Sequence, residues 1–167
     1  MELADLAVAV SLGLLLSVSC GLRAFLGPFL VSAACYAGWV RPDAAWAWMS
    51  SPIAFATFGV AVVTEILADK IPTLDHAMDT VHTLLKPAAG ALMALAFVHG
   101  VDPLVAAVAG LATGGVVAGG LHLTKAGLRV GSTATTGGLG NPFISLAEDV
   151  LAIGLASVAT FGATLLV

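Results

Sequence analysis

The segment from Leu121 to Val150 contains most of the side chains in this chain that could do chemistry. Lys125 and Arg129 precede a stretch rich in glycine and threonine, and Glu148 and Asp149 follow it. Carboxylates in such a pair of clusters can bind a cation or a proton, and the basic side chains can hold an anionic group. Long apolar runs lie on both sides, and ionisable groups set among apolar runs normally pair, face a cavity or serve a function.

The stretch between these charges, residues 131–140, is predicted to be an irregular loop. Gly137, Gly138 and Gly140 permit backbone conformations that other residues avoid, and the threonines offer hydroxyl groups. Pro142 is predicted to start a helix whose free N–H groups can bind an anion. Irregular backbone within a membrane is tolerated only where it is buried in protein or lines a water-filled cavity, so a loop placed there would be a solute or ion site. A loop outside the membrane would be an ordinary turn. A nucleotide-binding Gly-x-x-x-x-Gly-Lys-Ser/Thr pattern is absent.

Further charges interrupt the apolar runs elsewhere. Glu65 and Asp69 are four residues apart and share one face of a predicted helix, and Arg23 follows the first apolar run. The same charges could instead fix helix ends by pairing or by reaching the interface. The predicted polar site has nine members: Arg23, Glu65, Asp69, Lys125, Arg129, Thr136, Asn141, Glu148 and Asp149.

A second group of polar side chains follows a helical period. Asp75, Asp79 and His82 share one face and could bind a metal ion, although the wet face of an interfacial helix explains them equally well. The sequence has neither Gly-x-Ser-x-Gly nor His-Glu-x-x-His, so no catalytic residue and no cofactor are predicted.

The elements that must position these residues are transmembrane helices. Of 167 residues, 59% are hydrophobic and 10% are charged, with a mean hydropathy of +1.05. Soluble domains have about 25% charged residues. Because each span needs about 20 apolar residues, we expect an all-α helical membrane bundle, one domain over residues 1–167. Six spans are predicted, at residues 3–20, 24–40, 51–70, 86–100, 103–126 and 143–166, with a short interfacial amphipathic helix at 74–85.

Orientation and localisation follow from the basic residues and the tryptophans. Trp39, Trp46 and Trp48 surround Arg41 and predict an interfacial aromatic belt. No Lys or Arg precedes the first apolar run, so a cleaved signal peptide is not expected. The positive-inside rule then places both termini outside the cytoplasm of a bacterial inner membrane. The basic residues on the predicted cytoplasmic side are Arg23, Lys70, Lys86, Lys125 and Arg129.

Small residues and short matching segments suggest how the spans pack. Two Gly-x-x-x-Gly patterns, 110–114 and 115–119, allow close helix contact, either within the chain or in a homodimer. Gly-Leu-Arg at 21–23 and at 127–129 is followed in each case by a Pro-Phe pair, which suggests an internal repeat. Cys20 and Cys35 lie in apolar runs and are expected to be free thiols.

Several motifs together resemble a known family. They are Glu-Ile-Leu-Ala-Asp-Lys-Ile-Pro at 65–72, Lys-Pro-Ala-Ala-Gly-Ala at 86–91, His-Leu-Thr-Lys-Ala-Gly-Leu-Arg at 122–129, Thr-Gly-Gly-Leu-Gly-Asn-Pro at 136–142, and the acids at 75, 79, 148 and 149. Over nearly its whole length the chain resembles DUF4126, a bacterial membrane family of unknown function. The resemblance implies a small multi-span membrane protein and supplies no catalytic residues.

The leading functional prediction is a small transporter or channel for an ion or small charged solute. One alternative is a membrane enzyme that acts on a lipid headgroup, with the glycine- and threonine-rich loop binding phosphate. Another is a non-catalytic membrane scaffold. The expected partners are the lipid bilayer, the solute and a second copy of the chain. No basic cluster indicates nucleic acid.

Overall fold

The structure, a computed structural model, describes residues 2–42, 44–68 and 72–166, without the side chains of 72–77, 79, 103, 165 and 166. Within these ranges every regular element is helical. The elements are α1 (Leu3–Leu22), α2 (Leu26–Tyr36), a 3-10 helix (Ala44–Ser50), α3 (Pro52–Ala68), α4 (Pro72–Ala94), α5 (Pro103–Gly110), a π-helical turn (Leu111–Gly115), α6 (Val116–Thr136), α7 (Asn141–Gly162) and a terminal 3-10 helix (Ala163–Leu166).

The bundle is apolar outside and partly polar inside. On α4, Leu84 is 78% exposed, whereas His82 and Lys86 are buried. On α7, Phe143 is 76% exposed and Glu148 is buried. This is the reverse of a water-soluble helix, whose charged face meets the solvent. The surface is therefore compatible with a protein surrounded by lipid.

Three helices are long and apolar enough to cross a membrane: Leu3–Leu22, Leu104–Thr136 and Asn141–Gly162. A fourth candidate is the pair Ala44–Ser50 and Pro52–Ala68, which is bent by 65°. α2 has 11 residues and is about 16 Å long, about half of a ~30 Å hydrocarbon layer. The predicted count of six spans is therefore not confirmed.

The predicted interfacial helix at 74–85 and the predicted span at 86–100 are one element. α4 continues from Pro72 to Ala94 through Pro87. The sequence predicts two elements because 74–85 is amphipathic, a pattern typical of a helix at the membrane surface. In the structure its polar side chain His82 is instead directed inward, so the amphipathic part belongs to the bundle.

α1 is the central helix. It is antiparallel to α7, because the Ser19 hydroxyl donates to the Ala152 carbonyl (3.0 Å) while Leu12 lies beside Gly162. It is also antiparallel to α4, since the Ser17 hydroxyl donates to the Gly90 carbonyl (2.8 Å). The beginning of α1 and the end of α7 thus lie at the same end of the bundle.

The glycines of the two Gly-x-x-x-Gly patterns pack within the chain. A Cβ atom on Gly114 would lie 2.2 Å from the Gly90 carbonyl oxygen, and one on Gly110 would lie 2.4 Å from that of Ala91. These glycines therefore allow α5, the π-helical turn and α6 to approach α4 at backbone contact. These glycines therefore serve packing within the chain, and the expected homodimer stays a prediction.

Candidate functional site

A sharp turn between α1 and α2 sets the position of the site. α1 ends at Leu22, Arg23 is extended (φ −132°, ψ 109°), and α2 begins at Leu26. Gly27 follows at once, and a Cβ atom there would lie 3.0 Å from the Cys20 sulfur, so the two helices reverse direction closely. The first N–H groups of a helix have no partner within it and need acceptors from elsewhere.

Glu65 on α3 accepts from the two residues that immediately precede α2. Its Oε1 accepts from the Ala24 N–H (2.9 Å) and its Oε2 from the Phe25 N–H (3.3 Å). The side chain is 1% exposed. A carboxylate at a helix N-terminus satisfies free donors and interacts favourably with the helix dipole. Glu65 therefore ties α3 to the turn between α1 and α2.

Basic groups on α4 and in the α1–α2 turn lie near the same carboxylate. His82 Nε2 lies 3.6 Å from Glu65 Oε1. Lys86 on α4 and Arg23 of the α1–α2 turn add positive charge near this carboxylate. Lys86 is itself fully buried, although it lies at the middle of α4.

Arg23 connects the turn to α7. Its Nε donates to Asp149 Oδ1, its Nη2 approaches the same oxygen, and Nη2 also donates to the Ser145 hydroxyl (3.1 Å). The planar guanidinium thus holds two side chains one helical turn apart on α7. Arg23 is 3% exposed and Asp149 is 25% exposed, so the guanidinium is buried while the carboxylate of this ion pair is partly open to the surface.

Glu148 connects α7 to α6. Its Oε2 lies 2.8 Å from Lys125 Nζ and 3.5 Å from Arg129 Nη2. Lys125 Nζ also donates to the Leu22 carbonyl (3.5 Å), at the end of α1. A cation there interacts favourably with the helix C-terminus. One carboxylate oxygen is therefore shared by two cations, one of which also caps α1.

A histidine on α6 completes the arrangement. His122 Nε2 lies 3.5 Å from the Thr83 hydroxyl, which neighbours His82 on α4. Together these groups form a cluster that we term the polar core: Arg23, Glu65, His82, Lys86, His122, Lys125, Arg129, Glu148 and Asp149. It joins α1, α3, α4, α6 and α7 around the turn between α1 and α2.

Six predicted site residues belong to the polar core: Arg23, Glu65, Lys125, Arg129, Glu148 and Asp149. His82, Lys86 and His122 were missed as members of this site. The available signal was their helical spacing: His82 and Lys86 are four residues apart, and His122 precedes Lys125 by three. Such pairs share a helix face. The other three predicted residues are Asp69, Thr136 and Asn141, and of these Asp69 lies outside the described residues.

Thr136 and Asn141 are not in the polar core, and the predicted 131–140 loop is mostly helix. α6 runs to Thr136, and the remaining turn is Gly137–Gly140, with positive φ at Gly137 (63°) and Gly138 (89°). Thr136 donates to the Ser132 carbonyl (2.7 Å), a pairing that continues the helix. Asn141 donates to the Thr133 hydroxyl (3.0 Å). Seven residues separate Asn141 from Glu148, which is about 10 Å along the helix.

The predicted metal site receives no support from the part of the chain that the structure describes. Asp75 and Asp79 have undescribed side chains, and His82 contacts Glu65. Among the described residues no three histidine, cysteine or acidic side chains are grouped as metal ligands. The hydroxyls of Thr135 and Thr136 donate to helix carbonyls, and the predicted role of this segment as a phosphate site stays a prediction.

The predicted orientation rested on basic residues in loops. Lys86, Lys125 and Arg129 instead lie within helices, and with Arg23 they belong to the polar core. The positive-inside rule counts charges in loops and near span ends that meet the cytoplasm, so these four do not decide the orientation. Lys70 lies outside the described residues.

An apolar cavity of about 400 Å³ lies away from the polar core. Its walls come from the 3-10 helix 44–50, the second half of α4, the α4–α5 connection and α5, and include Trp46, Trp48, Ala91, Leu95 and Ala107. Trp46 stacks on Trp48, with ring centroids 6.4 Å apart. None of the charged side chains of the polar core lines this cavity, so it does not form a path to them.

The chain belongs to the family described as Domain of unknown function (DUF4126), whose model matches residues 10–167. The resemblance noted in the sequence is thereby confirmed. No curated protein sequence and no solved structure matches the chain.

Proposed function

We propose that this member of the DUF4126 family is a bacterial inner-membrane protein that moves a small ion or small charged solute across the bilayer. The observation that carries the proposal is the polar core, a set of nine ionisable side chains gathered inside a bundle whose outer surface is apolar. Charged groups within a membrane cost about 2.5–3.5 kcal/mol each on insertion scales, and they commonly mark ion or substrate pathways.

The turn between α1 and α2 supports the same proposal. Transporters frequently bind solutes where a helix is interrupted, because the ends of the half-helices present free backbone groups and a dipole. Here Ala24 and Phe25, the two residues just before α2, donate their N–H groups to Glu65. The same turn contains Arg23, which pairs with Asp149. A movement of this turn would change the partners of two acids at once.

The pairing within the core leaves room for exchange. Glu148 Oε2 interacts with both Lys125 and Arg129. An anionic group on a solute could therefore take over one cation while the other keeps its carboxylate. Removing the only partner of a buried charge is strongly unfavourable, so a shared partner lowers the cost of such an exchange.

The test is flux in proteoliposomes made from the purified protein. The probes are potassium, sodium, chloride, phosphate, acetate and methylammonium. We expect flux of at least one probe above that of empty liposomes, and loss of that flux in Glu65→Gln. The matched control is Asp5→Asn, because Asp5 is an exposed acid near the start of α1. Wild-type flux in folded Glu65→Gln, or no flux of any probe in the parent protein, contradicts the proposal.

A second candidate is a membrane scaffold without transport activity. It is favoured by the ion pairs of Glu148 and Asp149, both of which already have cationic partners within the chain. A scaffold needs these pairs only for stability. It therefore predicts that a pair can be replaced by neutral residues of similar volume with no loss of function in the cell, and that a partner protein co-purifies.

A further inference from the structure

We infer that Glu65 and His82 form a proton-binding pair and that the proton is the ion coupled to transport through the polar core. This rests on the proposed function, because coupling requires transport. It goes further by naming the ion and the two residues that take it up. Three features support it: the donors around Glu65, the buried imidazole beside it, and the connection of Glu65 to the turn between α1 and α2.

The surroundings of Glu65 do not suit a metal cation. Both carboxylate oxygens accept backbone N–H groups, from Ala24 and from Phe25. An imidazole nitrogen, His82 Nε2, lies 3.6 Å from Oε1. Hard cations such as Mg²⁺ and Ca²⁺ require several oxygen ligands, and here nitrogen donors point at the carboxylate instead. A proton needs no such ligand set.

His82 supplies an imidazole, a side-chain group that commonly takes up and releases protons in proteins. Proton uptake converts its neutral imidazole to an imidazolium ion, 3.6 Å from Glu65 Oε1, and release restores the neutral ring. The gain or loss of one proton is the only change, so charge and atoms balance. Because the two groups are close, the proton belongs to the pair rather than to either residue alone.

Other ionisable groups determine the electrostatic potential at Glu65 and His82. Arg23 from the α1–α2 turn and Lys86 from α4 act on Glu65. From α6, His122 contacts Thr83, the neighbour of His82, and Lys125 reaches the end of α1. Asp69 and the side chain of Asp79 lie outside the described part of the chain. This potential makes uptake of a proton depend on the arrangement of α1, α4 and α6.

Protonation of the pair also reaches the backbone. A protonated Glu65 carboxyl is a weaker acceptor for the Ala24 and Phe25 N–H groups than a carboxylate, because charge-assisted hydrogen bonds are roughly twice as strong as neutral ones. Transfer of the proton from His82 to Glu65 would therefore loosen the α1–α2 turn, which contains Arg23. That links proton binding to the Arg23–Asp149 pair.

The experiment measures proton entry into proteoliposomes that contain the pH-sensitive dye pyranine. A potassium diffusion potential set by valinomycin, negative inside, drives proton uptake in the presence of whichever probe the protein moves. We expect internal acidification with the parent protein, and its loss in His82→Asn and in Glu65→Gln. The matched control is His99→Asn, because His99 is exposed in the connection between α4 and α5 and should not matter. Unchanged acidification in folded His82→Asn overturns the inference.

A second measurement uses only the unmodified protein, so it does not depend on a variant folding. An imposed pH gradient should change the rate of flux of whichever probe the protein moves. One outcome separates the two proposals: a probe moves, but no acidification occurs and the rate of probe flux does not respond to the pH gradient. This outcome refutes the proton-binding pair and leaves the proposed transport function intact. If neither probe nor proton moves, both are refuted.

Discussion

Glu148 is the residue whose replacement tests the geometry of the polar core most directly. Glu148→Gln removes the carboxylate from Lys125 at 2.8 Å and from Arg129 at 3.5 Å. Removing one partner of a buried ion pair costs about 3–5 kcal/mol. We expect the upper part of that range, because two cations lose this partner. For a chain of this length, 1 kcal/mol corresponds to about 2–4 °C in Tm, so Tm should fall by about 10–20 °C.

Lys125→Met should cost less. It leaves Glu148 with Arg129 and removes the long contact to the Leu22 carbonyl, so the loss is mainly that of one hydrogen bond to a charged group, about 1.5–3 kcal/mol. The double variant should then lose less than the sum of the two single losses, because each change removes the group that the other leaves unpaired. Pairs in direct contact give coupling energies of about 0.5–3 kcal/mol, and we expect the upper half of that range here.

The assay is unfolding of the purified protein in detergent, followed by thermal and denaturant transitions for the parent, both single variants and the double variant. Glu2→Gln is the matched control, because Glu2 is exposed and its replacement should change stability by less than about 0.5 kcal/mol. Additive losses at Glu148 and Lys125, within about 0.5 kcal/mol, would refute a direct ion pair. So would equal losses in Glu148→Gln and Glu2→Gln.

Two further predictions concern close packing and the guanidinium. Gly114→Ala should lower stability by about 1–3 kcal/mol, because its Cβ would lie 2.2 Å from the Gly90 carbonyl oxygen. Gly120→Ala is the control, because a Cβ there meets open space and should be neutral or stabilising. Thermal unfolding compares the two variants, and equal Tm values would contradict the packing. Arg23→Lys keeps the charge but should lower Tm, because a single ammonium cannot hold Asp149 and Ser145 as the planar guanidinium does. An unchanged Tm in thermal unfolding would show that the charge alone matters.

The sequence predicted the helical class and the general position of the charged site better than it predicted the elements. Arg23, Glu148 and Asp149 could be assigned to one site because charges in apolar runs must find partners. Which acid pairs with which cation could not be predicted, because the pairing depends on the antiparallel arrangement of α1 and α7, and hydropathy contains no information on that arrangement. Glu65 was predicted as a ligand for solute, and its bonds to backbone N–H groups required knowledge of where α2 begins.

The loop at 131–140 shows why local composition was misleading. Glycines and threonines are poor helix formers in isolation, with glycine about 1 kcal/mol less favourable than alanine. Within α6 the hydroxyls of Thr135 and Thr136 donate to carbonyls one turn earlier and so do not oppose the helix. Only Gly137 and Gly138, with positive φ, need the freedom of glycine. Tertiary structure therefore extended the helix by six residues into the predicted loop.

α4 was divided in two for a related reason. A polar face at 74–85 and an apolar run at 86–100 predict different environments when each is read alone. In the bundle, both parts pack against α1: Gly13 lies against Ala94, and Ser17 against Gly90. The polar half continues the same helix because its inward side chains find partners, His82 with Glu65 on α3. The partners, and not the hydropathy of the segment, decided its position.

The α1–α2 turn meets two requirements that would each be unfavourable alone. An interrupted helix in an apolar interior leaves unsatisfied N–H groups, and a buried carboxylate without donors is costly. The Glu65 carboxylate accepts from the Ala24 and Phe25 N–H groups, which gives the backbone its acceptors and the carboxylate its donors. On the other side of the turn, Lys125 donates to the Leu22 carbonyl. Each contact joins a charge to a backbone group, so a change of charge there must act on the turn. A cluster that served stability alone could have used side-chain pairs throughout; the contacts to the helix ends are what favour a core that responds to ions.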